Sequence, residues 1–373
     1  MPETRRQRPA PPPRRPTQPI KVKNQSNYYH QAQNLFRLSG SVIPKVFFPA
    51  ILITAWGAIW TVFFMVDEVN FLKGFLPKST LLITIVSLVM GLLLVFRNNT
   101  AYERYWEGRR LWGTLETQVR NMSRFIWIGV SAKNAQDALE KRGAMNLLVA
   151  YMHATKHYLR NELGLHYDDI YPFISHLPEF AMDNQNQPDI KNLPLEISFQ
   201  LGGYIMKAKE HGQIDVSQLG CMTNSLNAMI ECFTGFERIR NTPLPFAYSI
   251  HLKQTLIVYL LSLPFQLVVD NKWGTIPVTL LAAFTLLGLE AIGGEIENPF
   301  GLDENDLPID DICEMIHQEV LSIMDRPDKL DSSKWGLPWE DLNSTHANLD
   351  ESAISAAQAQ VKARMPFTKR FIS

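Results

Sequence analysis

The chain has 373 residues, a formal net charge of −1 and 46% hydrophobic residues, with a mean hydropathy of −0.09. That balance excludes a chain made of membrane helices alone, and the near-zero charge offers no global basicity for nucleic acid. Cys221, Cys232 and Cys313 have no CxxC spacing, so they build no metal site and suit a reducing compartment.

The first 27 residues are rich in Pro and Arg with a single acidic residue, Glu3. They lack the apolar core of a secretory signal and cannot bury enough surface to fold, so 1–27 reads as a disordered tail. A transit peptide is the competing reading, opposed by prolines that break the amphipathic helix such peptides need. Residues 46–66 are apolar and, as a helix, about 31 Å long, enough to span a bilayer. Residues 79–96 form a second apolar run, and it passes without a Gly/Pro break into RNNTAYERYWEGRRLWG. A soluble helix rarely becomes Arg-studded at one residue; a helix leaving a bilayer does, and the Arg cluster marks the cytoplasmic side.

Between 97 and 253 the pattern predicts cytoplasmic helices at 97–128, 134–163, 195–212 and 216–240, with a loop at 182–194. Two further apolar runs, 254–269 and 276–294, follow. The second and third runs are short enough to be buried core helices. The pairing of the four into two hairpins, through 67–78 and 270–275, favours spans. Residues 1–45 carry nine Lys and Arg, and Lys or Arg recurs after the second run and before the third. Both termini and 97–253 are therefore expected on the cytoplasmic side. After the last run, Ile309, Cys313, Ile316, Val320 and Ile323 repeat at 4, 3, 4, 3 and predict an amphipathic helix with Pro308 near its start. Periodicity fades in 329–373, read as a C-terminal tail. Pro264 inside the third run predicts a kink.

Four stretches carry a resemblance: GLLLVFRNNTAYERYWEGRRLWG, IRNTPLPFAYSIH, LPFQLVVD and ENPFGLDENDLPIDDIC. Together they resemble the bestrophin family of ion channels, closest to its bacterial-type branch, from about Tyr28 to Asp325. The resemblance implies an all-α membrane protein of four transmembrane helices with a cytoplasmic helical bundle over 28–328. It also implies a homopentamer around one central ion pathway, whose narrow neck is lined by the second span.

Leu88, Leu92 and Phe96 fall at i, i+4, i+8, one stripe of a helix. From spacing alone the stripe faces lipid or another helix. The resemblance places it at the neck, where five copies make apolar rings that gate by dewetting. Animal members have mainly aromatic rings there, whereas this stripe has one. Arg97, Arg104, Arg109 and Arg110 either anchor headgroups and pair with Glu103 and Glu107, or give the pore a positive mouth that concentrates anions. Arg97 and Arg104 are the candidate mouth pair. Glu290 inside the fourth run is either structurally paired or part of the pathway. Asp303 and Asp306, with Glu304 and Asn305, follow Asn298-Pro299-Phe300-Gly301. They are either a calcium site, as the resemblance implies, or negative charge at the start of the next helix. Leu302 interrupts the acidic run, so no cofactor is assigned. His153 and His157 stand at i, i+4 without an HExxH glutamate and read as a solvated or packed pair. The four N-x-S/T sequons are cytoplasmic in this topology, so no glycosylation is expected.

The reading is a passive ion channel, not an enzyme, with chloride or another small anion as the expected ion. It sits in a lipid bilayer as a multi-pass protein, with the plasma membrane preferred over an organellar one. The alternatives are a monovalent-cation channel of the same architecture and a membrane-anchored protein with a cytoplasmic helical enzyme or scaffold domain. No nucleophile–base pair or phosphate loop supports that enzyme.

Overall fold

A computed structural model describes residues 40–65, 81–180 and 190–327. The N-terminal tail, the 67–78 link, most of the 182–194 loop and the 329–373 tail lie outside the described residues.

No strand occurs among the described residues. The first helix, α1, is Ile43–Met65, and Ser41 Oγ accepts the Ile43 N–H at its start, 3.2 Å away. Helix α2, Leu81–Arg124, runs 44 residues without interruption. No proline occurs along it, so nothing removes a backbone hydrogen bond. It ends in a single π turn, Phe125–Gly129, after which Val130 is extended. Helix α3 is Ala135–Leu159, capped by Asn134, whose side chain accepts the Asp137 N–H. It stops four residues short of the sequence expectation, where Asn161 and Gly164 take positive φ. The short α4 is Tyr171–Ile174. Helix α5, Leu193–Glu210, starts two residues early because Asn192 caps it with Pro194 in its first turn. Helix α6, Val216–Asn241, opens on a reciprocal Asp215–Gln218 capping box.

Helix α7 is Phe246–Asn271 and continues through Pro264. It begins eight residues before the expected 254, because hydropathy loses the polar lead, while Leu252 and Leu256 still supply a buried face. A 3-10 turn, Lys272–Gly274, leads into α8, Thr275–Ile296. The two run antiparallel. Tyr248 of α7 and Glu290 of α8 both reach α2 near residues 93–97, while Pro264 and Thr279 both lie against Gly57 of α1. Helix α9 is Ile309–Met324; Ile309, Cys313, Ile316 and Val320 of the expected stripe are buried and Ile323 partly so, with Ile312 buried beside them.

Two cores result. The apolar bundle of α1, the first half of α2, α7 and α8 closes on Val46, Ala50, Ile53, Met90, Leu94, Leu252, Leu256, Leu260 and Ala283. At its far end a Cβ on Gly57 would stand 3.3 Å from both Pro264 and Thr279, so glycine lets three helices approach closely. The distal bundle gathers the second half of α2 with α3, α5, α6 and α9 around Trp112, Tyr151, Phe180, Phe236 and Phe300. Among the described residues three helical stretches are long and apolar enough to cross a membrane: Ile43–Met65, Ile83–Gly129 and Phe246–Ile296, the last containing the α7–α8 hairpin.

Candidate functional site

Along the first half of α2 a buried face stands against a broad exposed one, which also carries Ile85, Val89 and Val95 at 49–54%. Met90, Leu94 and Ala101 are buried, each no more than 1% exposed. Leu88, Leu92 and Phe96 are 75%, 55% and 56% exposed. The expected stripe therefore does not hold its own protomer together. Large apolar side chains left this open require another cover: lipid, a neighbouring copy, or a dewetted passage.

The same stretch of α2 and the turns after it are fixed from behind through three side chains, those of Tyr248, Arg97 and Arg104. Tyr248 donates its hydroxyl to the Leu93 carbonyl at 2.9 Å. Arg97, 3% exposed, places Nη1 2.5 Å from Glu290 Oε1 and Nη2 3.9 Å from Glu297 Oε2, and Lys253 shares Glu290 at 3.3 Å. Arg104 donates to three carbonyls, those of Glu297, Thr242 and Ile239, at 3.1, 2.6 and 2.6 Å. Gly293 and Gly294 of α8 receive this junction. A Cβ on Gly293 would overlap Asn98 Oδ1, and one on Gly294 would lie 3.5 Å from Arg97 Nη2.

Arg97 and Arg104, the expected mouth pair, are thus engaged within the protomer. Both desolvated arginines need fixed acceptors at the end of an apolar bundle, and α8 with the α6 terminus provides them. Glu290 is structurally paired. Neither Glu103 nor Glu107 is the acceptor for Arg97: Glu107 pairs instead with Arg238. Arg109 and Arg120 both reach Glu116, and Arg110 is exposed.

The stretch after α8 works as a latch. Phe300 is fully buried; it packs edge-on against Phe236 at 5.6 Å and faces Gly108, where a Cβ would meet its ring at 3.1 Å. Leu307 N–H returns to the Pro299 carbonyl at 3.1 Å. In the acidic stretch, Asp306 Oδ2 accepts the Asp303 N–H at 2.8 Å, and burial pushes its carboxyl above the usual range despite that bond. Asn305 donates to the Gly40 carbonyl and to Glu295. Among the described residues no three His, Cys, Asp or Glu converge to hold a metal. Asp306 and Asn305, expected at a calcium site, thus bond the Asp303 N–H, the Gly40 carbonyl and Glu295.

His153 and His157 pack as expected but carry more than packing. His153 Nδ1, Lys156 Nζ and His157 Nε2 all meet Asp169, at 3.1, 2.5 and 2.9 Å. His157 Nδ1 also meets Glu162 at 2.5 Å. Lys156 and Arg160 continue to Asp310 of α9 at 3.1 and 2.7 Å. Burial would raise Asp169, yet bonds from Lys156 and His157 hold it down at about 2. Burial depresses His153 to about 4 against the pull of Asp169. Residues 153, 156, 157 and 160 share one face of α3 by spacing, a signal available in the sequence; Asp169 and Asp310 were not foreseeable as their acceptors.

A family model described as Bacterial/Fungal Bestrophin protein matches residues 21–322. A voltage-dependent anion channel-forming protein of Nostoc is 40% identical over 292 residues, covering 78% of this chain and 91% of that protein. A Synechocystis protein of the same description is 39% identical over 79% of this chain and 91% of its own length. A crystal structure of a bacterial bestrophin homologue from Klebsiella pneumoniae superposes with a TM-score of 0.64 at 26% identity, over 76% of this chain and all of that one. With motif, sequence and fold in agreement, the chain belongs to the bacterial and fungal bestrophin family.

Proposed function

We propose that this chain is a passive, anion-conducting channel of bestrophin type and not an enzyme. It acts as a homopentamer in which α1, the first half of α2, α7 and α8 each cross the membrane, with the termini and the distal bundle on the cytoplasmic side. Chloride is the expected ion, and Leu88, Leu92 and Phe96 line the neck. The observation that supports this most is the exposed apolar stripe on α2, at one residue per turn. Five copies around an axis make three stacked dry rings. The names carried by the Nostoc and Synechocystis relatives support anions as the permeant species.

One observation favours a second reading. With Arg97 and Arg104 engaged inside the protomer and a single aromatic in the stripe, fixed positive charge near the neck is sparse, which suits a monovalent-cation channel of the same architecture. Reversal potentials of the reconstituted protein under opposed chloride and sodium gradients decide between them, and absence of current rejects both. Truncating Leu88, Leu92 and Phe96 together to Ala is expected to raise flux per folded pentamer. Unchanged flux would return the stripe to a lipid or packing role.

A further inference from the structure

Phe96 and Arg97 are consecutive on α2 and point to opposite fates: Phe96 is 56% exposed, Arg97 3%. Successive helical residues are separated by about 100°, so fixing the azimuth of one fixes the other. Arg97 is held on its rear side by Glu290 at 2.5 Å, with Glu297 beyond at 3.9 Å. The backbone of α8 approaches α2 closely at Gly293, where a Cβ would overlap Asn98 Oδ1, while one on Gly294 would rest in ordinary contact with Arg97 Nη2 at 3.5 Å. Three residues before the stripe's last ring, Tyr248 donates its hydroxyl to the Leu93 carbonyl from the buried side. The last turn of the stripe is therefore clamped, while among the described residues no polar contact of this kind holds Leu88, two turns away.

We propose that the Arg97–Glu290 ion pair, seated in the Gly293–Gly294 groove, is a positioning device that sets the rotation of α2 and with it the direction of the Phe96 ring, making Glu290 a determinant of ion selectivity although it does not face the passage. This rests on the neck reading of Phe96. The pair acts through geometry. With Glu290 neutral, the Arg97 guanidinium loses its nearest carboxylate in a desolvated setting and must seek Glu297 or the interface. Either move turns α2 and swings Phe96.

The test uses the full-length protein in planar bilayers, with chloride-to-sodium permeability ratios as the readout and pentamer yield and thermal stability recorded alongside. Glu290→Gln keeps the side chain's shape and is expected to shift the ratio by roughly twofold or more, the lower end of coupling between contacting residues. In a double-mutant cycle the Glu290→Gln effect is expected to vanish in a Phe96→Ala background and to persist in a Leu88→Ala background. Glu295→Gln removes the same charge from α8, but from a carboxylate that binds Lys45 at 3.3 Å and not α2; it is expected to leave the ratio unchanged. If Glu290→Gln does not assemble, Glu290→Asp, which keeps the charge and shortens the reach, carries the same cycle. An unchanged ratio, an effect additive with Phe96→Ala, or an equal effect of Glu295→Gln would overturn the positioning role. If Phe96→Ala itself leaves permeation untouched, the neck reading fails, and that outcome is separable from failure of the pair alone.

Discussion

At the scale of single residues, burial rather than sequence spacing decides what each charge does. His153 is buried on α3 with its pKa depressed to about 4 from an ordinary value near 6.5. A depressed histidine favours the folded state when neutral. Its contribution is complete above about 6.5 and is lost as pH falls toward 4, because the unfolded chain takes up the proton first. Asp169, held near 2 instead of 3.8, adds a loss only below about 3.8. The structure therefore predicts that detergent-solubilised protein loses thermal stability between pH 6.5 and 4 and that His153→Gln flattens that slope; an equal slope in the variant would remove His153 as its cause. Asp306 belongs to the same argument. Its carboxylate caps the Asp303 N–H inside a loop, and Leu302, which breaks the acidic run, is 76% exposed. Conductance is expected to be the same in calcium-free buffer and in micromolar calcium. Strong activation by calcium, abolished by Asp306→Ala, would show that the loop rearranges to bind it.

At the scale of elements, local signals were legible and long-range ones were not. The unbroken α2 could be read from the missing Gly/Pro break, and α9 from its apolar stripe. Asn134 and the Asp215–Gln218 box are capping residues in the usual places. The start of α7 was hidden because Ser249, His251 and Lys253 dilute hydropathy without interrupting the helix. The destinations of Arg97 and Arg104 were hidden for a different reason. Their acceptors lie 135 to 193 residues away, and nothing in local spacing points to them. The latch after α8 shows the same limit: the Asn-Pro-Phe-Gly element is visible as a motif, but the burial of Phe300 against Gly108 and Phe236 is a property of the packed bundle. Phe300→Ala should cost about 3–5 kcal/mol, as for other large-to-small changes at fully buried aromatics. A drop in thermal stability together with loosening of the α8–α9 connector, seen as faster proteolysis near residues 300–308, is the expected outcome. A loss below about 1 kcal/mol would mean the cavity refills.

At the scale of the whole molecule, the family and its helical fold were legible from four motifs, and the same resemblance implies a pentamer that a single chain does not display. The exposed α2 stripe and the exposed Phe199 and Val216 of the distal bundle, 73% and 70% open, call for neighbours or lipid that a single chain does not supply. Native mass measurement of the solubilised complex is expected to give five copies; a monomer or dimer as the sole species would end the pore proposal.

Helix α2 has one property that matters most in such an assembly: it has no joint. Its 44 residues make a rod of about 66 Å, anchored in the distal bundle by Trp112 and Leu115 and carrying Phe96 at its other part. A rod of this kind transmits torque. A ligand or partner that twists the distal bundle by a few degrees would turn Phe96 with it, with no hinge to absorb the motion. Linkage makes the coupling reciprocal: a blocker wedged beside Phe96 would change the affinity of whatever binds the far end, by the same factor.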